Sequence, residues 1–331
     1  MDIKKLEEEK YINLSKEINI HPLQSFAWGG VKCPDWSVDR ILINEKVPLS
    51  VFIKQIPFIG LKFGYIPRGI VFNDDRNVSE IVESLVSFVK EKKLSHLLID
   101  PAIDFEKCFK ERGVNIEEAL KKYNFKVSGR QEQPIRTVVL DLSKSEDELL
   151  SDMRSKHRQY IRKSKRNGVI IETANDENID DFIRIIDAIK KERGYLMHEC
   201  GYYRKIWKNF RQEDGTHMFI ARVEGEIVGA YMLLFSKDNT YEMFGGCNRE
   251  GRNLLANYAL KWESIKYSKR IGKKYYDQWG AELVHKGLVQ FKEGFGGKII
   301  EYPRQYVYVR NEAGFTTYKL LRKVNNLRRY L

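Results

Sequence analysis

Cysteine is sparse in this 331-residue chain, and Cys33, Cys108, Cys200 and Cys247 stand singly, which excludes a disulfide framework and a paired-cysteine zinc site. The six histidines are just as scattered and no H-E-x-x-H occurs, so neither a metal nor a cofactor is expected. No apolar run approaches the roughly 20 residues that span a bilayer. The opening stretch MDIKKLEEEKYINLSKEI is charged and holds no signal-peptide core, so a cytoplasmic protein is expected. Low-complexity linkers are missing too, although the length calls for two domains.

Positive charge is what the chain has in excess. Its formal net charge is +12, and residues 151–170, SDMRSKHRQYIRKSKRNGVI, hold half of it: Arg154, Lys156, Arg158, Arg162, Lys163, Lys165 and Arg166 against Asp152. Just upstream, Ser145 followed by Glu148 is a capping-box signal, and Gly168 is a stop signal. One helix over residues 146–167 is predicted. Its cations outnumber any internal partner, so they suit the backbone phosphates of a nucleic acid, though a merely solvated basic face would have the same composition.

Alternating runs organise the rest. RILINEKVPLSVFIKQ and FGYIPRGIVF read as strands, SEIVESLVSFVKEKKL as an amphipathic helix and HLLID as a short strand. The same order returns in HMFIARVEGEIVGAYMLLFS, TYEMFGGCN, LLANYALKWESIKYSKRIG and KYYDQWG. An offset of 178 residues brings ILINEK onto FIARVEGE, and 179 brings LSHLLIDP onto KKYYDQWG. A duplicated mixed α/β unit is the economical reading. The first copy is expected to span residues 1–142 and to be completed by the final helix within 308–331; the second is expected over 143–307. Two GNAT-like acyltransferase units fused in tandem have this element order.

FKEGFGG, residues 291–297, sets one cation and one ring among three glycines. Taken alone it reads either as a turn or as backbone folded closely around a reacting group. Together with HPLQSFAWGGVK, YIPRGIVF, RTVVLDLSKSEDELLSDMRSKHRQYIRKSKRNGV and EGRNLLANYALKWESIKYSKRIGKKYYDQWG, in this order from about residue 20 to 310, it resembles the Fem family of aminoacyltransferases. The resemblance implies transfer of an amino acid from aminoacyl-tRNA to the stem peptide of a peptidoglycan precursor, either UDP-MurNAc-pentapeptide or lipid II. Residues 168–218 leave no room for the coiled-coil arm of the FemA type, so the layout is similar to FemX.

On that resemblance Lys292 matches the family lysine that stabilises the tetrahedral oxyanion, with Phe291 shaping the pocket beside it. Lys32 matches a phosphate-contacting lysine, and Arg68 is the next cation on the same unit. Tyr202, Tyr203 and Arg204 fall in the acceptor-recognition segment, where YLMHEC replaces the family's usual residues. The basic helix would then carry the tRNA. Asp100 in LIDP reads either as the group that orients the attacking amine or as a turn residue before Pro101, and Asp277 in YYDQWG has the same two readings. Trp28 and Phe26 read as core. An acetyl-CoA-dependent acyltransferase would require R/Q-x-x-G-x-G/A, and NREGRNLLANY departs from that spacing. A noncatalytic RNA-binding module would leave FKEGFGG without a use.

Overall fold

The computed structural model describes residues 3–70, 78–110, 116–194 and 198–330, the last of these from 324 onward for the backbone only. Val71 and Phe72 of YIPRGIVF and residues 195–197 lie outside the described residues. The chain divides into a unit made of Met1–Gln133 with Tyr302–Leu331 and a unit made of Pro134–Glu301.

The first unit holds β1 (Ile3–Lys5), β2 (Ser37–Ile43), β3 (Val47–Gln55), β4 (Lys62–Gly69), β5 (His96–Pro101), β6 (Lys126–Val127) and β14 (Tyr306–Val309). They form one sheet in the order β1-β2-β3-β4-β5-β14-β6. Its helices are α1 (Glu8–Glu17), α2 (Phe26–Lys32), α3 (Val78–Glu91), α4 (Phe105–Phe109), α5 (Ile116–Lys122) and α13 (Glu312–Tyr330). In α3, Val78, Ile81, Val82, Leu85, Phe88 and Val89 recur at helical spacing and are all buried against the sheet. Every residue of β5 is buried, which explains why Leu97, Leu98 and Ile99 are continuously apolar instead of alternating.

The second unit repeats the plan with β7 (Arg136–Asp141), β8 (Ile170–Thr173), β9 (Thr216–Val223), β10 (Glu226–Phe235), β11 (Asn239–Cys247), β12 (Tyr275–Asp277) and β13 (Lys298–Glu301), ordered β13-β7-β12-β11-β10-β9-β8. Its helices are α6 (Glu146–Asp152), α7 (Ser155–Arg166), α8 (Ile179–Arg193), α9 (Cys200–Arg211), α10 (Arg249–Asn253), α11 (Ala256–Arg270) and α12 (Lys286–Glu293). In both sheets an antiparallel run ends on one parallel pair, β4 with β5 and β11 with β12, and an antiparallel strand then covers the far side. The duplication is therefore one of strand pairing as well as of element order.

Two expectations are corrected. RTVVLD does not end the first unit: as β7 it pairs with β12 and β13 of the second, while β14 supplies the matching strand of the first. The boundary thus falls after Gln133, nine residues before the expected one, and the second unit ends at Glu301 instead of 307. The single basic helix is also two. Ser145 and Glu148 form the predicted capping box, but Met153 and Arg154 are extended (ψ 146° and 139°) and break the helix before α7 begins. The physical reason is Arg158, whose guanidinium folds back onto the carbonyls of Leu150, Ser151 and Met153 and satisfies the C-terminal end of α6. Among the described residues no helix is long and apolar enough to cross a membrane.

Candidate active site

Lys292 does not lie in an open glycine loop as expected. It occupies the last turn of α12 and is buried, its side chain directed at a second segment of the same unit. There Trp279 and Gly280 both take positive φ (49° and 53°), and Nζ of Lys292 donates to the carbonyl of Trp279 and, at 2.6 Å, to that of Gly280. The Gln278 side chain donates to the Lys292 carbonyl at 3.0 Å, fixing the backbone as well. Two of the three ammonium donors are used and one remains. Burial, reinforced by the positive charge of Lys261, pulls Lys292 down to about 8.

Lys261 was not singled out in the sequence, yet it is fully buried on α11. Its Nζ pairs with Glu242 at 2.6 Å, and Tyr276 donates to the other carboxylate oxygen at 2.5 Å. The rings of Tyr231, Tyr276, Phe291 and Phe295 surround the ammonium at 5.5–5.9 Å from their centroids. Phe291 thus lines the cation beside Lys292. The one signal in the sequence was a lysine set among Leu260, Ser264 and Ile265 on an apolar face.

The glycines of FKEGFGG serve packing. A Cβ on Gly294 would fall 2.0 Å from the His157 ring, and one on Gly297 would meet the Val139 carbonyl at 2.8 Å. His157 comes from the basic helix: with Ile161 and Ser164 it forms the inward stripe of α7, and its Nε2 donates to the Phe291 carbonyl at 3.0 Å. The amide of Arg154 donates to the Gly294 carbonyl at 3.0 Å, and its guanidinium pairs with Glu293 at 3.5 Å. The two motifs that were read separately are therefore one assembly. Of the expected RNA contacts, Arg158 is committed to α6, whereas Lys156, Arg162, Lys163, Lys165 and Arg166 are all exposed. Among the described residues these five form no ion pair.

In the first unit, Asp100 ends β5 fully buried. It accepts from Tyr65, from Gln131 at 3.0 Å and from Gln305 at 3.2 Å. Burial raises it to about 6, against the opposing pull of Tyr65, Arg68 and Gln305. Asp277, its counterpart in the second sheet, accepts from Thr137 and from the amide of Trp279 at 2.7 Å, so it shapes the turn whose carbonyls hold Lys292. Arg68 departs from expectation: it is 1% exposed and lies 3.5 Å over the Tyr302 ring, a buried partner of the Asp100 region instead of a surface phosphate ligand. Lys32 is half-buried at the end of α2, over Trp28 at 5.0 Å, and its pKa is lowered by burial and by Lys54. Gly29 makes room for Arg40, whose guanidinium stacks on Phe26 at 4.1 Å, and Trp28 is core as expected.

The model of the FemAB family matches residues 5–225 and 216–323. The chain belongs to the FemAB family. The lipid II:glycine glycyltransferases of Staphylococcus epidermidis and Staphylococcus aureus are 22% and 20% identical to it, over 93% of this chain and 92% of theirs. Among solved structures, FemX gives a TM-score of 0.82 at 18% identity, over 96% of this chain and 99% of that one. A tandem GNAT protein from the clavulanic acid biosynthesis pathway gives 0.51 at 13%, over 93% and 98%. The expected tandem GNAT-like fold is borne out.

Within this FemAB chain the expected acceptor segment is divided, with Tyr203 buried, Tyr202 half-buried and Arg204 exposed. Tyr203 is buried edge-on to Phe182 and Phe244, and Arg204 pairs with Asp180. Tyr202 stacks on His198 at 3.8 Å. The stretch weighed for acetyl-CoA is also engaged: the Gly251 amide donates to Asn248 at 2.8 Å, and Arg252 bonds the Cys247 carbonyl and Glu192 at 2.6 Å each. A Cβ at Gly251 would lie 2.2 Å from the Val228 carbonyl, so this glycine permits helix-to-strand contact.

Two glycines of α12 and its cap should respond oppositely to a methyl group. A Cβ on Gly287 would meet nothing within 4 Å, so Gly287→Ala should stabilise the protein by about 0.5–1 kcal/mol. Gly294→Ala must displace His157 and should cost about 1–3 kcal/mol. Urea unfolding of the two variants checks the pair.

Proposed function

We propose that this FemAB protein is a cytoplasmic aminoacyltransferase that moves an amino acid from aminoacyl-tRNA to the stem peptide of a peptidoglycan precursor. The named relatives support the acceptor class, since they are lipid II:glycine glycyltransferases. The observation that carries the reading is Lys292, a buried ammonium with two donors anchored on carbonyls and one left over. An amine of the acceptor attacks the ester carbonyl, a C–N bond forms, and the π electrons move onto oxygen. The remaining Lys292 donor meets that oxyanion in a water-poor setting, where such a contact is strongest. As the intermediate collapses, the C–O bond to the ribose breaks and the oxygen leaves. The amine's proton goes to that leaving oxygen, which departs as the ribose hydroxyl.

The RNA phosphates are assigned to the outward stripe of Lys156, Arg162, Lys163, Lys165 and Arg166. Through His157 and Arg154 that stripe is tied to the carbonyls of Phe291 and Gly294, so donor binding and the oxyanion lysine share one rigid support. Lys32, with Lys54 beside it, is the proposed phosphate contact of the acceptor.

Lys292→Met should lower the single-turnover transfer rate by about 10²–10³ with both substrates still bound. The ratio of the wild-type rate to the Lys292→Met rate cancels the ionisation of the attacking amine and should fall above about 8, as Lys292 loses its proton. A ratio that climbs through pH 8 would make Lys292 a base and not an oxyanion donor.

Binding of tRNA should weaken with salt by about 0.7–0.9 log units per phosphate contact per log unit of salt. Converting Arg162, Lys163 and Lys165 to Gln should flatten that slope equally for every tRNA. Arg158→Gln should instead lower the melting temperature, because it uncaps α6. Filter binding across a salt series and thermal melts separate the two.

A further inference from the structure

The hairpin joining β3 to β4 ends in a feature that the proposed chemistry does not use. Gln55 pairs with Lys62, and the Ile56 amide donates to the Leu61 carbonyl at 2.8 Å, closing the base. Beyond it Pro57, Phe58, Ile59 and Gly60 are all exposed. Phe58 is as exposed as a free side chain (107%), and Ile59 is 52% exposed. Phe58 also holds a φ of 67°, a region that bulky residues avoid, and it makes no ring contact among the described residues. Asn or Gly would occupy that turn without strain, and neither would expose a large apolar surface to water. Two unfavourable choices at one position mark a surface that meets a partner.

Charge identifies the partner. From Ile53 to Phe63 the hairpin has Lys54 and Lys62 and no acidic residue. Lys93 and Arg310 stand at the same end of the sheet: Ser95, whose amide donates to the Lys62 carbonyl, accepts from the Arg310 amide, and Arg310 bonds the Lys93 carbonyl at 3.2 Å. An apolar tip above a collar of cations matches an anionic lipid bilayer. The ring and the isoleucine enter the headgroup layer, while the lysine stems lie along it with their ammonium groups on lipid phosphates. A protein partner would need shape around the tip, and four exposed residues on a two-stranded ribbon provide little.

We propose that the Pro57–Gly60 tip docks this protein on an anionic membrane surface. Lys54 lies four residues from Phe58, a separation that roughly 14 Å of fully extended chain would bound, and it is the cation whose charge acts on Lys32. Docking by the tip would therefore hold the Lys32 and Lys54 pair just above the lipid phosphates. If the proposed function is right, that is where the phosphates of a lipid-linked acceptor lie. The membrane contact itself rests on the hairpin alone, and only its use rests on that reading.

The experiment is cosedimentation of the full chain with vesicles of phosphatidylcholine, and with equimolar phosphatidylcholine and phosphatidylglycerol. The variant is Phe58→Asn with Ile59→Ser, in which Asn relieves the positive φ, so its melting temperature should hold or rise. The expected result is binding to the mixed vesicles that exceeds binding to neutral ones, falls with salt, and drops roughly tenfold or more in the variant. Transfer to a water-soluble acceptor should be unchanged in the variant, whereas transfer to the same acceptor anchored in mixed vesicles should fall in step with binding. Equal vesicle binding by both proteins, no binding by either, or self-association through the tip in place of vesicle binding would overturn the proposal. Loss of transfer to the soluble acceptor in the variant would also overturn it. Vesicle binding that depends on the tip, in a protein that transfers to neither acceptor, would support the membrane contact and reject the function proposed above.

Discussion

Burying two ammonium groups in one unit near the Glu242 and Asp277 carboxylates is the constraint on which the second half of the molecule depends. Lys261 is compensated: Glu242 neutralises it, Tyr276 completes the carboxylate, and four rings face the charge. Lys292 is bonded only to backbone carbonyls, and burial with the charge of Lys261 brings it to about 8, against the pull of Glu242 and Asp277. Those carbonyls point inward because Trp279 and Gly280 take positive φ, and the Trp279 amide is held by Asp277. An ammonium that titrates at about 8 thus arises from burial beside a second cation, and the surrounding hydrogen bonds keep it in place.

Duplication supplied two copies of one sheet, and the equivalent aspartates have diverged. Asp100 is bound by side chains, from Tyr65, Gln131 and Gln305, and stays a titratable group near neutral pH. Asp277 is bound by a hydroxyl and a backbone amide and works as a brace for the turn. The difference follows from the amide two residues beyond each aspartate: that of Ala102 donates to the Gly69 carbonyl at 3.1 Å, whereas that of Trp279 turns back onto Asp277.

The basic helix is joined to this site by short-range contacts. Its inward face spends His157 on the Phe291 carbonyl and its N-terminal amide on Gly294, leaving the outward cations without an ion pair among the described residues. A helix whose one face is fixed by hydrogen bonds and aromatic contacts, with the other face cationic, can accept a polyanion without reorganising the lysine beneath it.

Periodicity and punctuation were enough to determine the α/β class, the repeat, α3, the capping box at Ser145 and the position of Lys292 in its motif, because these depend on neighbours within a few residues. Where the chain crosses between units was not legible: β7 and β14 have similar short apolar patterns, and only pairing with β12 or β5 decides which sheet each joins. The break at Met153 was hidden for a similar reason, since Arg158 has no propensity against helix and acts by reaching back to carbonyls. Arg68 looked like a surface cation until Tyr302, more than two hundred residues away in sequence, covered it. Lys261 and Glu242 are ordinary charges in the sequence. Their burial opposite each other, and the pKa it imposes on Lys292, exists only once α11, β11 and α12 are packed, because Coulomb interaction and desolvation depend on distance in space and not on distance along the chain.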